Sequence, residues 1–451
     1  MTTVAPEPAK KSSKAPIQPT RNQARFAFTV LLIVNVLNYA DRYVLSAILP
    51  SIKHDFNLSD FEGGLLISSF LIVYAFATLP LGIWADRGIR KNIVALCVGI
   101  WSVATALAGF TQNLIQLFSM RSILGIGEAG YAPASLSLLG DFFSRAQRAR
   151  VLSFWSIGTL LGAAIGVSLG GLVADTLGWR WAFYIVGIPG LIAAFLAWHM
   201  TEPARGTFDK VSEDMEDSDA SDTTDTTASH GKIGKDFLEI VRNLFKIPTY
   251  WILVGAMVFS FFTIGGTSFW LTTYLTRAFG LSLTRAGSLS GIVLVSSGLI
   301  GTVLGGWLAD VVQRRRPEGR LFISMLGFLI GAPLVLLALL IQTLPLFIAV
   351  FIVAAISLNF CAGPLNAVIQ DVIAPNMRAT AVGLALLLAH ILGDASSPTI
   401  IGLISDRYSL GTALVVTAPT FLFLAGLVCL IGLRTVARDM QRMQYQLQNR
   451  A

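Results

Sequence analysis

Twelve apolar runs, each near the length a helix needs to cross hydrocarbon, leave this chain few folds to choose from. A bilayer-crossing helix takes roughly 20 mainly apolar residues. The runs cover about 26–49, 62–84, 92–110, 115–139, 151–174 and 181–201, then 250–276, 286–311, 321–341, 345–370, 379–404 and 411–433. They lack the two-residue alternation of half-buried strands, and lipid offers no partner to open backbone, so each is expected to be a helix. The expected fold is all-α integral membrane, with twelve transmembrane helices. Of the 451 residues 54% are hydrophobic and 13% charged, which excludes a soluble multidomain protein. Cys97, Cys361 and Cys429 all fall inside apolar runs, so they read as packing residues and suggest no disulfide framework.

The basic residues orient the spans. With the N-terminus in the cytoplasm, twenty Lys and Arg fall in the short inside segments and the two terminal stretches, from Lys10 through the loops at Arg87, Arg148 and Arg315 to Arg450. Five fall outside: Lys53, Arg180, Arg277, Arg285 and Arg407. This asymmetry places both termini in the cytoplasm, and short loops point to a bacterial inner membrane. The net charge of +7 is therefore a topology signal, and nucleic acid is not an expected partner. Residues 1–24 read as a disordered cytoplasmic N-terminus, 25–202 as one six-helix bundle and 248–436 as a second. The tail covers 437–451. The linker 203–247 opens with an acidic stretch and closes with an expected interfacial helix, Lys235 to Lys246, bearing Phe237, Leu238, Val241, Leu244 and Phe245 on one face.

A repeat supports the two-bundle division. Gly-x-x-x-Asp ends spans 2, 5, 8 and 11, at Gly82…Asp86, Gly171…Asp175, Gly306…Asp310 and Gly402…Asp406. Two pseudo-symmetric halves, each holding inverted three-helix units, are the architecture of alternating-access carriers. Span 5 carries Gly158, Gly162, Gly166 and Gly170, a flat stripe that invites close backbone approach. Gly301 and Gly305 of span 8 are the expected matching surface.

Ionisable groups inside two of these spans single out a functional region. Span 1 holds Asn38, Tyr39, Asp41 and Arg42, and span 4 holds Arg121 and Glu128. Charge in hydrocarbon is costly unless it faces a polar cavity or another charge. Arg121 and Glu128 lie seven residues apart and therefore share a helix face. Asp41 and Arg42 fall at about the depth of Arg121. The expectation is that Asp41 and Glu128 carry a proton and exchange partners among Arg42 and Arg121. Either arginine also suits bidentate phosphate binding. The competing reading is a permanent ion-pair network without proton traffic.

In the second half, Thr267, Phe269 and Trp270 follow Gly265-Gly266 in span 7 and are candidates for lining a cavity. Asn359 and Asn366 mark a polar, interrupted span 10. His390 and Asp394, one turn apart in span 11, read as a hydrogen-bonded pair before a second proton site. Asp86, Arg87 and Arg90, with Asp310, are the gating candidates, with helix capping and topology anchoring as the rivals. With no phosphate-cradling loop, metal-ligand spacing or nucleophile–base set, no cofactor is expected, and energy would come from a gradient, expected to be of protons, or from the substrate itself.

Two stretches carry a family resemblance. GIWADRGIRK, from Gly82, resembles the signature loop between spans 2 and 3 of the major facilitator superfamily. NYADRYVLSAILPSI from Asn38, RSILGIGEAGYAP from Arg121 and RARVLSFWSIG from Arg148 are similar to signatures of spinster-like transporters. The resemblance implies a central cavity lined by spans 1 and 4, and an inner gate held by the loop's Asp and basic residues. It also implies proton-linked movement of lysolipids or sphingosine phosphate; the expected partners are an amphipathic lipid substrate and the bilayer, and the chain is expected to be a monomer. A carrier of small organic anions on the same fold, and a non-transporting membrane sensor, are the alternatives.

Overall fold

The computed structural model describes residues 19–207 and 240–448. Span 1 is a helix over Arg21–Phe56. Thr20 and Gln23 form a reciprocal capping box at its start, so the helix begins inside the stretch expected to be tail. It stops at Asn57, whose φ of 51° ends the helical backbone. Span 2 (Asp60–Arg87) opens with the same device, Ser59 and Glu62. Spans 3, 5 and 6 are single helices over Arg90–Ala108, Arg145–Thr176 and Trp179–Trp198. In the second half, spans 7, 8, 9 and 12 run over Pro248–Phe279, Leu283–Gln313, Gly319–Leu340 and Leu410–Gly432. A C-terminal helix, Val436–Gln448, follows.

Three spans are broken. Span 4 is two helices, Leu114–Ala129 and Tyr131–Phe142, meeting at Gly130. Span 10 changes to a 3-10 turn at Asn359–Cys361 between Leu344–Leu358 and Ala362–Val372. Span 11 holds a π-helical turn, His390–Asp394, between Arg378–Ala389 and Ser397–Arg407. Among the described residues eleven helices are long and apolar enough to cross a membrane. The twelfth expected span is the fourth, whose pieces of 16 and 12 residues reach across only together. Of the expected interfacial helix, only 240–244 is described as helical, and Phe237 and Leu238 lie outside the described residues. Leu244 is buried in the bundle, while exposed Phe245 stacks on Trp251 at 4.6 Å.

Spans 1–6 and 7–12 form two halves, and their likeness extends to single ion pairs. Arg90, at the start of span 3, binds Asp141 at the end of span 4. Arg320, at the start of span 9, binds Asp371 at the end of span 10 at 2.8 Å. The glycine stripe of span 5 packs inside its own half: a Cβ at Gly162 or Gly166 would collide with the carbonyls of Val36 or Ala40 in span 1. Gly301 and Gly305 press on Ile356 and Phe360 of span 10, also within their half. The expected contact between these two glycine surfaces is therefore corrected. Each serves to pull neighbouring helices together where no side chain can intervene.

The halves meet elsewhere. Gly171 of span 5 lies against Leu283 of span 8, and Gly402 of span 11 against Asp60 of span 2. Asp175 accepts the Thr284 backbone N–H at 2.7 Å, and Asp406 accepts the N–H groups of Asp60 and Phe61 at 2.7 and 2.8 Å. These junctions sit at the face carrying Lys53, Arg180 and Arg277, hereafter the far face. Toward the opposite, basic face the halves separate. Gly64 and Gly82 lie five turns apart on one side of span 2. Gly64 abuts Pro398 of span 11, whereas a Cβ at Gly82 would meet nothing within 4 Å among the described residues. The same holds, among the described residues, for Gly383 and Gly306 on the basic-face sides of spans 11 and 8. The molecule is closed at the far face and open toward the basic face.

Candidate functional site

The four charged groups of spans 1 and 4 are paired crosswise. Arg42 Nε donates to Glu128 Oε2 at 2.5 Å, and Arg121 Nη1 lies 3.4 Å from Asp41 Oδ1. Asp41, Arg121 and Glu128 are fully buried, while 16% of the Arg42 side chain is exposed. Thr105 of span 3 donates its hydroxyl to Asp41 Oδ2. Two acids and two guanidinium groups cancel in net charge, which is how hydrocarbon tolerates them.

Aromatic rings complete the setting. The Arg42 guanidinium lies 4.5 Å from the Tyr74 ring centroid, 5.1 Å from Tyr39 and 5.3 Å from Phe70. Arg121 lies 5.3 Å from the same Phe70 ring. Ring faces attract cations, so the two guanidinium groups are held around Phe70 without a hydrogen bond to it. Several polar atoms in this region are buried without a hydrogen-bond partner: Glu128 Oε1, Arg121 Nε and Nη2, and both amide atoms of Asn38. The network therefore has spare capacity for a proton or another polar group.

Backbone packing places Glu128. Gly125 is wedged against the Phe70 carbonyl of span 2 and Gly127 against the Trp101 backbone of span 3. Neither position has room for a side chain, so the turn that leads into Glu128, the residue after Gly127, is fixed against spans 2 and 3. Past the break at Gly130, Tyr131 donates its hydroxyl to Asn35 Oδ1 at 2.5 Å. Asn35 in turn donates to the Trp155 carbonyl at 2.7 Å and Thr159 at 3.1 Å, tying spans 1, 4 and 5 together.

Across from this network, a 160 Å³ cavity lies between the halves. Tyr43 of span 1 lines it, with Thr267, Ser290, Ser297, Phe351 and Asn359 of the second half. Of the second-half candidates, Thr267 and Asn359 line this cavity. Phe269 and Trp270 are packed inside their own half, where Trp270 Nε1 donates to the Pro398 carbonyl at 3.1 Å. Asn366 lies beyond the break in span 10 and is half-buried. His390 Nδ1 and Asp394 Oδ2 are 2.9 Å apart within the π-helical turn.

The gate candidates divide. Asp86 and Arg87 are exposed at the basic face. Arg90 is 1% exposed and bonds Asp141, Ser137 Oγ at 2.9 Å, Glu202 at 2.8 Å and the Pro203 carbonyl at 2.9 Å. It anchors the start of the linker to its own half. Asp310 pairs with Arg320 at 3.1 Å, likewise within one half. Thr105, Phe70, Tyr74 and Tyr131 were not singled out from sequence. The Phe70–Tyr74 spacing of four on one face was a usable signal; a lone threonine or tyrosine was not.

Residues 31–398 match the model of the Major Facilitator Superfamily. The chain belongs to the Major Facilitator Superfamily. This superfamily member is 29% identical over 414 residues to Protein spinster homolog 3 of Danio rerio, covering 86% of this chain and 78% of that protein. It is 30% identical over 416 residues to an MFS-type efflux pump of Mycolicibacterium smegmatis, covering 89% and 91%. A solved bacterial homologue of the human lysosomal transporter Spinster, in an inward-facing and occupied conformation, superposes with a TM-score of 0.81. That match has 24% identity and covers 93% of this chain and 99% of the other. The protein is a multi-pass membrane transporter of this superfamily, similar to the spinster proteins.

Proposed function

We propose that the protein carries a lysolipid or a sphingosine-1-phosphate-like amphipath across the membrane by alternating access, coupled to protons. The carrying observation is the crosswise pairing of Arg42 with Glu128 and Arg121 with Asp41 beside a cavity. A proton on Glu128 ends its charge-assisted bond to Arg42. Arg42, already partly exposed, then turns its guanidinium to a phosphate, and Asp41 and Arg121 serve as the second pair in the exchange. Tyr39 and Asn38 flank the exchanging groups, while Thr267 and Asn359 supply polar contacts from the other wall. Closure at the basic face, with Asp86, Arg87 and Asp310 at the gate, accompanies opening at the far face. The carrier works as a monomer on a proton gradient with no bound cofactor, its termini in the cytoplasm of a bacterial inner membrane.

The test is reconstitution in liposomes carrying a pH-sensitive dye, with lysophospholipid or sphingosine phosphate added. Lipid-dependent proton movement that Glu128→Gln abolishes supports the reading. Lipid flux with no proton movement reduces it to a uniporter. A second reading, a small organic anion, is favoured by the 160 Å³ size of the cavity. Competition between a long-chain lysolipid and a short carboxylate separates the two, and a sensor shows no saturable flux of either.

A further inference from the structure

The C-terminal helix follows span 12 after a three-residue turn and is fastened to the bundle by one side. Val436 and Asp439 are buried, and Met440 packs on the core. Asp439 Oδ2 accepts the Thr249 backbone N–H at 3.2 Å and its hydroxyl at 2.6 Å, capping the first turn of span 7. At 100° per residue, Arg438 and Arg442 lie within about 60° of the direction opposite Val436, and Arg434 sits in the turn just before the helix. All three are exposed, as is Tyr445 on the same face. Arg438 Nε stands 3.6 Å from Asp439 Oδ1. Asp439 is the only carboxylate of the helix and its Oδ2 is bound to span 7, so the charged side chains of the outer face are all basic.

We infer that this arginine face binds anionic phospholipid headgroups of the leaflet on the basic side. The helix lies against the end of span 10 and, through Asp439, the start of span 7, where the hydrocarbon stops. The headgroup layer there is about 5–8 Å deep, so a helix about 10–12 Å across reaches it with its outer face. Guanidinium forks match phosphate oxygens, and each basic residue near an anionic surface strengthens binding about fivefold. Because Asp439 holds the first turn of span 7, lipid on the outer face steadies the half that must move when the basic face closes. The inference does not depend on the transported substrate.

The test measures lipid retained by the purified full-length protein, by native mass spectrometry after exchange into mixed phosphatidylglycerol and phosphatidylcholine. Wild type and the triple Arg434→Lys, Arg438→Lys, Arg442→Lys variant are expected to favour phosphatidylglycerol. The triple Arg→Gln variant should lose at least about fivefold of that preference. The three side chains are exposed, so the Gln variant keeps its fold, checked by an unchanged melting transition. Equal retention by wild type and Gln variant overturns the inference. So does a wild type that prefers phosphatidylglycerol only after the acids between 213 and 225 are neutralised, since the face would then belong to the chain's own acidic linker.

Discussion

Asp406, the last acid of span 11, accepts the backbone N–H of Asp60 at 2.7 Å, so the end of one half caps the start of a helix in the other. Asp175 does the same for span 8 through Leu283 and Thr284. The two caps are related by the pseudo-symmetry of the halves, and each belongs to a Gly-x-x-x-Asp pattern whose glycine admits the partner backbone. Asp60 adds a side-chain link, accepting Arg277 at 2.7 and 2.8 Å as well as Lys53 and Ser405.

This cluster holds the far face shut, so Asp60→Asn should favour opening there. Losing a charge-assisted bond is worth about 1.5–3 kcal/mol, a shift of roughly tenfold or more in population. A Ser268→Cys reporter in the cavity, labelled by an impermeant thiol reagent from the far side, is expected to react correspondingly faster. The native cysteines are all buried and give little background. Unchanged labelling would show that the cluster does not govern opening.

Thr105→Val removes a hydroxyl donor from Asp41 while leaving Arg121 in place. The expected cost is about 1–2 kcal/mol of stability. Under the proposed coupling, the pH profile of transport should also move, because Asp41 is one of the exchanging acids and loses a hydrogen-bond donor. A stability loss with an unmoved profile would assign Thr105 a purely structural role.

Arg90 and Arg87 should separate cleanly. Arg90→Gln leaves Asp141 buried without its cation and frees the linker start, at an expected cost of about 3–5 kcal/mol, seen as poor yield and early melting. Arg87→Gln, at an exposed site, should leave the fold intact. A change in the labelling rate of the Ser268→Cys reporter in that variant would then report on gating rather than folding.

Glycine positions make a further contrast. Gly162→Ala drives a methyl into the Val36 carbonyl of span 1, where only backbone can give way. The expected penalty is about 1–3 kcal/mol. Gly140→Ala, with nothing within 4 Å, should be neutral or gain up to about 1 kcal/mol from helix propensity. Thermal melting in detergent distinguishes them.

Much of the architecture was legible because hydrocarbon imposes its rule locally. Span length and apolarity needed no knowledge of neighbours, whereas the Thr20–Gln23 capping box, though local, went unread and the first helix begins earlier than expected. The break at Gly130 was not anticipated. Its glycine is there because Cys97 and Leu81 leave no room for a side chain, a fact about spans 2 and 3. Asp41, Arg42, Arg121 and Glu128 stood out singly by the cost of their charge. Their pairing did not, since helix faces alone allowed either arginine for either acid.

The sequence by itself determined the membrane class, the number of spans, the two-fold repeat and which buried charges demand partners. Each follows from composition or spacing along one stretch of chain. Only the tertiary structure decided that Arg42 takes Glu128, 86 residues away, that Phe70 stands between two guanidinium groups, and that Asp406 caps a helix 346 residues before it. Such choices depend on how helices rotate and approach when they pack. That is settled by the fit of whole surfaces and not by any local pattern.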